Sequence, residues 1–303
     1  MNRFSFIIII AFLLSLLSYL LVADDSLKVN IDVAADTTEA TTSDSVSVIM
    51  PDTTPIPPPP DSAYIARSMD SSWWMRKIDN QAFNLGEYLE FSVSYGILPA
   101  GTAVMAVEDT VRYEGIKCFK VTSIASTNGF VSTFYKVRDT VATYIDYDGI
   151  FPHYFWKKLR EGKYKTEKKT FFDQRRHLAV TDKDTIPTYA FVQDAFSSLY
   201  YLRTQKIEPG TEIFIDNHTS KKNFPLKIVV VGRETVEVPA GKFDCLVIEP
   251  AMREEGIFQA KGSIKIWITD DQYKMPVKMQ TEVFFLGSIH ADLKSFKRGL
   301  IPE

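Results

Sequence analysis

The chain has 303 residues, 45% of them hydrophobic and 24% charged, with a formal net charge of −3. That is ordinary globular composition, enough for one large or two small domains, and the near-neutral charge gives no general ground for nucleic-acid binding. Two cysteines, Cys118 and Cys245, exclude a disulfide-dense scaffold and a metal site built on cysteine alone.

Phe4 to Val22 is an unbroken run of apolar residues and serine behind Arg3. A run of about 18 or more such residues can span a bilayer. It also fits a signal peptide ending at Ala23, although Leu21 is large for a cleavage site and the run exceeds the usual ~7–15-residue apolar region. A cleaved signal and a retained anchor in residues 1–23 both stay open, and both export the rest to the periplasm or cell envelope. Residues 24–61 are rich in Thr, Ser, Asp and Pro, carry no Lys or Arg from Val29 onward, and close with a proline-rich run, Pro55 to Pro60. Such a segment cannot bury enough apolar surface to order itself, and its proline run is a stiff spacer. Residues 62–82, with Trp73-Trp74-Met75, read as a lead-in that packs aromatics onto the domain.

The β-rich domain is placed at residues 83–303. Glu87 to Ile97 alternates, with Leu89, Phe91, Val93 and Tyr95 on one face and Tyr88, Glu90, Ser92 and Ser94 on the other, as in a half-buried strand. Pro99-Ala100-Gly101 reads as the next turn. Strands follow at Thr102–Arg112, Ile116–Ala125, Tyr135–Ile145, His153–Arg160, Lys163–Phe172, Arg176–Thr181 and Thr185–Tyr189, with turn signals at Glu114-Gly115, Asn128-Gly129, Tyr147-Asp148-Gly149 and Glu161-Gly162. Val192 to Arg203 then changes period. Its apolar residues Val192, Ala195, Phe196, Leu199, Tyr200 and Leu202 mark one buried helical face. Asp194 is a good N-cap, and Arg203 in the last turn suits the helix dipole. After Pro209-Gly210 come strands at Thr211–Asp216, Phe224–Val238, Lys242–Glu249, Gly262–Thr269, Pro276–Leu286 and Ser288–Phe296.

Two halves, about 83–190 and 208–296, line up. Gly86-Glu87-Tyr88-Leu89 resembles Gly210-Thr211-Glu212-Ile213, Gly115 to Val121 resembles Gly241 to Val247, and Pro152 resembles Pro276. A duplication is therefore expected, with helix 192–203 between the halves. Cys118 and Cys245 hold equivalent places. A disulfide between them and two buried free thiols both stay open.

Catalytic motifs are missing. No Gly-x-Ser-x-Gly, His-Glu-x-x-His or phosphate-binding glycine loop occurs, and His153, His177, His218 and His290 lack metal-ligand spacing. Between Tyr154 and His177, basic residues including Lys157 and Lys158 interleave with aromatics including Trp156. That pattern reads either as a surface for anionic headgroups or as a solvated hairpin whose lysines protect a sheet edge.

The runs Gln193 to Arg203, Val238 to Cys245 and Ile266 to Asp271 with Pro276-Val277-Lys278, together with Gly86 to Phe91, resemble the exported bacterial family catalogued as domain of unknown function 3108. The resemblance spans about Phe83 to Phe296. It implies an exported β-rich domain and transfers no functional residue. A looser architectural analogy is to periplasmic lipoprotein carriers, whose curved sheet holds acyl chains under a helical lid.

The expected fold is all-β: a curved antiparallel sheet or open barrel of two similar halves with one short helix between them. The expected function is a non-enzymatic envelope protein that binds an apolar or amphipathic ligand, such as a lipid, or a partner protein. Phe196, Leu199, Tyr200, Trp156, Lys157 and Lys158 are the candidate ligand contacts. No metal, cofactor or nucleic acid is expected, and residues 4–22 are a candidate membrane tether. A scaffolding protein with a filled core is the alternative, and an envelope polysaccharide hydrolase a minor one. Two inward carboxylates ~5–10 Å apart in a cleft would favour the last.

Overall fold

The computed structural model describes residues 76–219, 222–250, 262–283 and 287–300. The apolar run Phe4–Val22, the linker 24–61 and Trp73-Trp74-Met75 lie outside the described residues. Among the described residues no helix is long and apolar enough to cross a membrane.

The first half runs β1 (Tyr88–Tyr95), β2 (Leu98–Tyr113), β3 (Ile116–Thr127), α1 (Gly129–Ser132), β4 (Arg138–Asp146), β5 (Pro152–Glu161), β6 (Tyr164–Asp173), β7 (Leu178–Val180) and β8 (Thr185–Pro187). The helix α2 (Ala195–Arg203) follows. The second half runs β9 (Glu212–Thr219), β10 (Lys222–Val238), β11 (Gly241–Pro250), β12 (Gly262–Thr269), β13 (Pro276–Val283) and β14 (Gly287–Lys297). Each predicted strand is present with shifted ends. All the strands form one antiparallel sheet, β8 through β1 in sequence, then β14 down to β9. Each half is thus a meander. The halves join where the first strand of one pairs with the last of the other, as at Leu89↔Phe296 and Val93↔Ala291.

The duplication holds at the level of single backbone groups. Gly86 N–H donates to Val107 O at 2.9 Å, and Gly210 N–H donates to Val230 O at 2.8 Å. Both glycines have left-handed φ, +85° and +88°, which a side chain would disfavour. A bulge follows at the same place in each half, between Val107 and Asp109 and between Val230 and Gly232. Ile150 and Lys274, equivalent non-glycine residues, share positive φ of 51° and 41° just ahead of Pro152 and Pro276.

Cys118 and Cys245 also match. Each thiol faces the carbonyl two residues earlier, Ile116 O at 3.7 Å and Phe243 O at 3.8 Å. Both are buried and free, so the disulfide left open by the sequence is not made. Between β3 and β11 the sheet interposes β2, β1, β14, β13 and β12. That is roughly 29 Å along the sheet at ~4.8 Å per strand, far beyond disulfide reach.

Two turn readings change. Pro99-Ala100-Gly101 lies inside β2, and the chain reverses at Gly96-Ile97, where Gly96 has φ +53°. A register shift at Val93/Ser94 accommodates Pro99, which has no N–H for the ladder. Gly101 is needed there because a Cβ would collide with the Ser126 carbonyl. Asn128-Gly129 is not a simple turn. The Asn128 side chain accepts the Val131 N–H at 2.9 Å and caps α1, too short to show a period.

The core lies on the face where β1 presents Leu89, Phe91 and Val93, and β14 Ile289, Ala291 and Leu293. The helix packs there through Phe196, Leu199 and Tyr200. A second apolar cluster, with Ile215, Leu226, Ile228, Ile264 and Ile266, fills the second half against Leu202 and Ile207. β11 is buried on both faces, giving Cys245 and Val247 to one cluster and Leu246 and Ile248 to the other.

The helix starts later than its periodicity suggested, at Ala195 rather than Val192. Gln193 is extended and bridges Asn217 of β9 in parallel, with its N–H on Asp216 O and its carbonyl accepting from His218 N–H, both at 2.8 Å. Asp194 caps the helix as expected. Its Oδ1 accepts the Phe196 and Ser197 N–H groups at 2.7 Å, and its Oδ2 accepts from the Thr143 hydroxyl at 2.6 Å. The sheet stays open, but β8 at one edge is tied to the β9–β10 hairpin at the other. Asn223 Nδ2 of β10 donates to Pro187 O of β8 at 2.6 Å. An exposed strand edge invites foreign pairing, and the Val192–Asp194 stretch covers that of β9.

Arg203 is more than a dipole partner. Its side chain is wholly buried and meets the Glu87 carboxylate with both terminal nitrogens, at 2.8 and 2.6 Å. It also donates to Ala82 O at 2.9 Å and Tyr273 O at 3.1 Å. One guanidinium thus holds the helix, the lead-in, the start of β1 and the β12–β13 turn. Removing it leaves Glu87 charged and unpaired inside, which typically costs roughly 3–5 kcal/mol. We expect Arg203→Ala to lose that much in urea unfolding, whereas Lys227→Ala, from the surface pair with Glu212, should change stability by under about 1 kcal/mol.

Candidate functional site

The structure separates the residues singled out as ligand contacts. Phe196, Leu199 and Tyr200 are 0%, 6% and 0% exposed and pack with Phe83, Phe119 and Val141. Tyr200 stands edge-on to Phe83 and Phe196 at 4.8 and 5.6 Å between ring centres. Strand alternation divides the other three. Trp156 and Lys158 face outward and share Glu167, through Trp156 Nε1–H to Oε1 and Lys158 Nζ to Oε2, each 3.0 Å. Lys157 is buried, its ammonium acting on Glu161. The basic stretch is therefore not one continuous surface.

Glu161 and Asp139 form a buried carboxyl pair that pattern reading missed. They are 6% and 2% exposed and hydrogen-bond each other. Two carboxylates only accept, so that bond needs a proton held between them. Burial, then the charge of Asp139, pushes Glu161 up to about 8, with Lys157 partly offsetting the rise. Burial likewise raises Asp139, whose Oδ1 accepts the Arg160 N–H at 2.8 Å. A glycosidase pair is held apart by about 5–9.5 Å to admit sugar and water, so two carboxyls in direct contact do not supply that geometry.

Near β3 stand Cys118, Asp146 and His153, three residue types that can make a nucleophile. His153 Nε2 lies 2.9 Å from Asp146 Oδ2, and Asp146 Oδ1 also accepts the Asp148 and Gly149 N–H groups. Burial pushes the Cys118 thiol up to about 12, and the Asp146 charge adds to it. A thiol so shifted is inert at neutral pH. Asp146 and His153 hold the β4–β5 turn, while the Cys118 thiol donates to Ile116 O.

A cleft of about 650 Å³ opens beside this turn, between the β2–β3 hairpin, the start of β5 and the β6–β7 connection. Its lining includes Tyr113, Ile116, Phe171 and Phe172 as apolar walls, His153 and Gln174 as buried polar groups, and Arg175 and Arg176 at an exposed rim. Tyr113, Tyr144, Tyr154 and Phe171 form a continuous ring cluster at 5.1–5.9 Å spacings. Gln174 is 4% exposed. Its Nε2 donates to Pro152 O at 2.8 Å and Val192 O at 3.2 Å, which fixes the amide orientation. Its Oε1 then has no donor among the described residues. The volume falls within the ~300–1,000 Å³ range of small-molecule sites, and apolar walls with a few fixed polar groups are their usual make-up. Phe171, Phe172, Arg175 and Arg176 belonged to the basic aromatic stretch read from sequence. Tyr113 and Ile116 come from the β2–β3 hairpin and His153 from the start of β5, whereas Gln174 lies within that stretch but carried no local signal.

Fold and site together define an all-β domain: an open curled sheet of two repeated meanders, with α2 packed into its core and a lateral cleft among the described residues. The chain belongs to the family described as protein of unknown function (DUF3108), whose model matches residues 90–294. No curated protein matches its sequence. Among solved structures it is similar to a β-barrel-like protein of the DUF1849 family from Brucella abortus, at 10% identity and a TM-score of 0.47, covering 72% of this chain and 99% of that one. It is also similar to a DUF1089 family protein from Pseudomonas aeruginosa, at 9% identity and TM-score 0.34, covering 59% of this chain and 88% of that one. A hypothetical protein from Chlamydia trachomatis gives 6% identity and TM-score 0.33 over 73% and 93% of the two chains. At these scores the likenesses carry no argument about ligand or activity.

The carboxyl pair has a measurable pH signature. With its folded pKa raised, Glu161 keeps a proton that the unfolded chain has already released. Its contribution to stability is complete below about 4.5 and is lost as pH rises through about 8. Asp194, raised by burial to about 6, has finished its own loss by then. We expect unfolding temperature to fall between pH 6 and 8, and Glu161→Gln, whose amide can still donate to Asp139, to flatten that fall.

Proposed function

We propose that the protein is an exported, non-enzymatic envelope protein that binds an amphipathic ligand in the cleft between the β2–β3 hairpin and the β6–β7 connection. The observation that carries the reading is the Gln174 Oε1 acceptor, buried and unpartnered among the described residues, at an aromatic-walled cleft rimmed by Arg175 and Arg176. The matching ligand has an apolar or ring-shaped body for Tyr113 and Phe171. It offers a hydroxyl or N–H to Gln174 and an acidic group to the guanidinium rim. Export is supported by the apolar run Phe4–Val22 behind Arg3. Against catalysis stand the elevated Cys118 thiol and the contact between the carboxyls of Asp139 and Glu161.

The burial of Phe196, Leu199 and Tyr200 in the core supports the outer cleft, rather than the helix, as the proposed ligand site. The test is purification without detergent, native mass spectrometry for a retained small molecule, and titration with the fluorescent fatty acid cis-parinaric acid. We expect uptake, weakened on the order of tenfold by Phe171→Ser and by Arg175→Glu, both at partly or fully exposed positions. No retained molecule together with no uptake, or uptake equal in the variants, would sink the cleft assignment.

A further inference from the structure

We propose that the end of the sheet made by the β1–β2, β3–β4 and β5–β6 connections docks on a bilayer surface rich in anionic headgroups. This surface lies away from the cleft, which sits by the β2–β3 and β6–β7 connections at the opposite strand ends.

Large apolar side chains stand in water at this end. Ile97 is 96% exposed, Phe130 and Phe134 74% each, Leu98 55% and Tyr164 51%. Scattered singly they would need no explanation, but the backbone gathers them. Asn128 N–H donates to Ala100 O at 2.9 Å, and its Nδ2 donates to Pro99 O at 2.7 Å, fixing the α1 connection to the β1–β2 hairpin. Gly162 N–H donates to Lys136 O at 2.8 Å, fixing the β5–β6 tip to the same connection. Phe130 and Phe134 touch edge to face at 5.6 Å. These tips are held in place rather than waving on free loops.

Charge selects the occupant. Lys136, Arg138, Arg160, Lys163 and Lys165 are exposed on the same connections. On these connections Asp139 and Glu161 are buried, and Glu282, exposed on β13 near Gly96, accepts from Gln280. Asp182 and Asp184 lie further off, on the β7–β8 turn toward the sheet edge. A second copy of the chain meeting this end symmetrically would set cations against cations, which opposes self-association. Apolar and aromatic tips within a ring of Lys and Arg fit a membrane–water boundary, where rings settle at headgroup depth and cations meet lipid phosphates.

The test uses the full chain with an environment-sensitive fluorophore at Thr133→Cys, between the two phenylalanines. Ile97→Cys serves as a second label site, and the two native thiols are buried and do not compete. A control label at Lys242→Cys, exposed at the β10–β11 turn and away from the cleft, reports the opposite end. Because the label reads only its own surroundings, vesicle attachment through residues 4–22 does not mimic the result. We expect a blue shift at position 133 with phosphatidylcholine–phosphatidylglycerol vesicles, reversed by high salt, and none at position 242. Phe130→Ser with Phe134→Ser should abolish it. Lys136→Gln, Arg138→Gln and Lys163→Gln together should raise the lipid concentration needed on the order of a hundredfold. The proposal is overturned by no shift at both rim labels, by an equal shift on phosphatidylcholine alone, or by equal shifts at both ends. A shift that follows protein concentration without vesicles would also overturn it, assigning the end to self-association.

Discussion

The Arg203 guanidinium is the group on which the rest of the structure depends. A charge without access to water is tolerated only if its partners replace the lost hydration. Here Glu87 supplies a two-point carboxylate, and the carbonyls of Ala82 and Tyr273 take further donors. Those partners come from the first half, the lead-in and the second half. A buried hydrophobic contact of equal size would tolerate sliding, but this four-bond arrangement admits one relative placement. The duplication shows how specific it is: Glu87 follows the left-handed Gly86, whereas the equivalent place after Gly210 holds Thr211. The repeat broke its symmetry at the position that receives the arginine.

From that lock follows the role of α2. Asp194 fixes the start of the helix through two backbone N–H groups and Thr143, and Arg203 fixes its end. Phe196, Leu199 and Tyr200 between them become part of the core rather than a cover over a cavity. Gln193 then continues along β9 and shields its edge, so the sheet can remain open without offering a bare strand there. Both proposed binding surfaces lie outside that core, the lateral cleft at one end of the strands and the apolar, cation-ringed tips at the other.

Local pattern carried much of this fold. Alternation located many of the strands because most have one apolar face, and Asp194 announced the helix because a cap is a local event. Register is not local. Nothing near Leu89 in the chain points to Phe296, and the cleft exists only once the β2–β3 hairpin lies beside the β6–β7 connection. A finer signal was present for the buried charges. Glu87 is in phase with Leu89 and Phe91, Asp139 with Val141 and Ile145, and Glu161 with Leu159. An acid on the apolar phase of a strand either breaks the strand or has a partner inside. Reading phase before charge would have found these residues, and would have sent Lys157 inward, away from Trp156 and Lys158.

In this structure α2 is a fixed keystone of one cooperative body. Native-state hydrogen exchange of the Phe196–Leu202 amides tests it most directly, since each amide reports the free energy of the opening that exposes it. These amides should exchange only with global unfolding, at the same free energy as Phe91 and Leu293 in the β1–β14 ladder. Exchange of the helix at a markedly lower free energy, with the ladder still protected, would show that α2 opens by itself and would make it a lid.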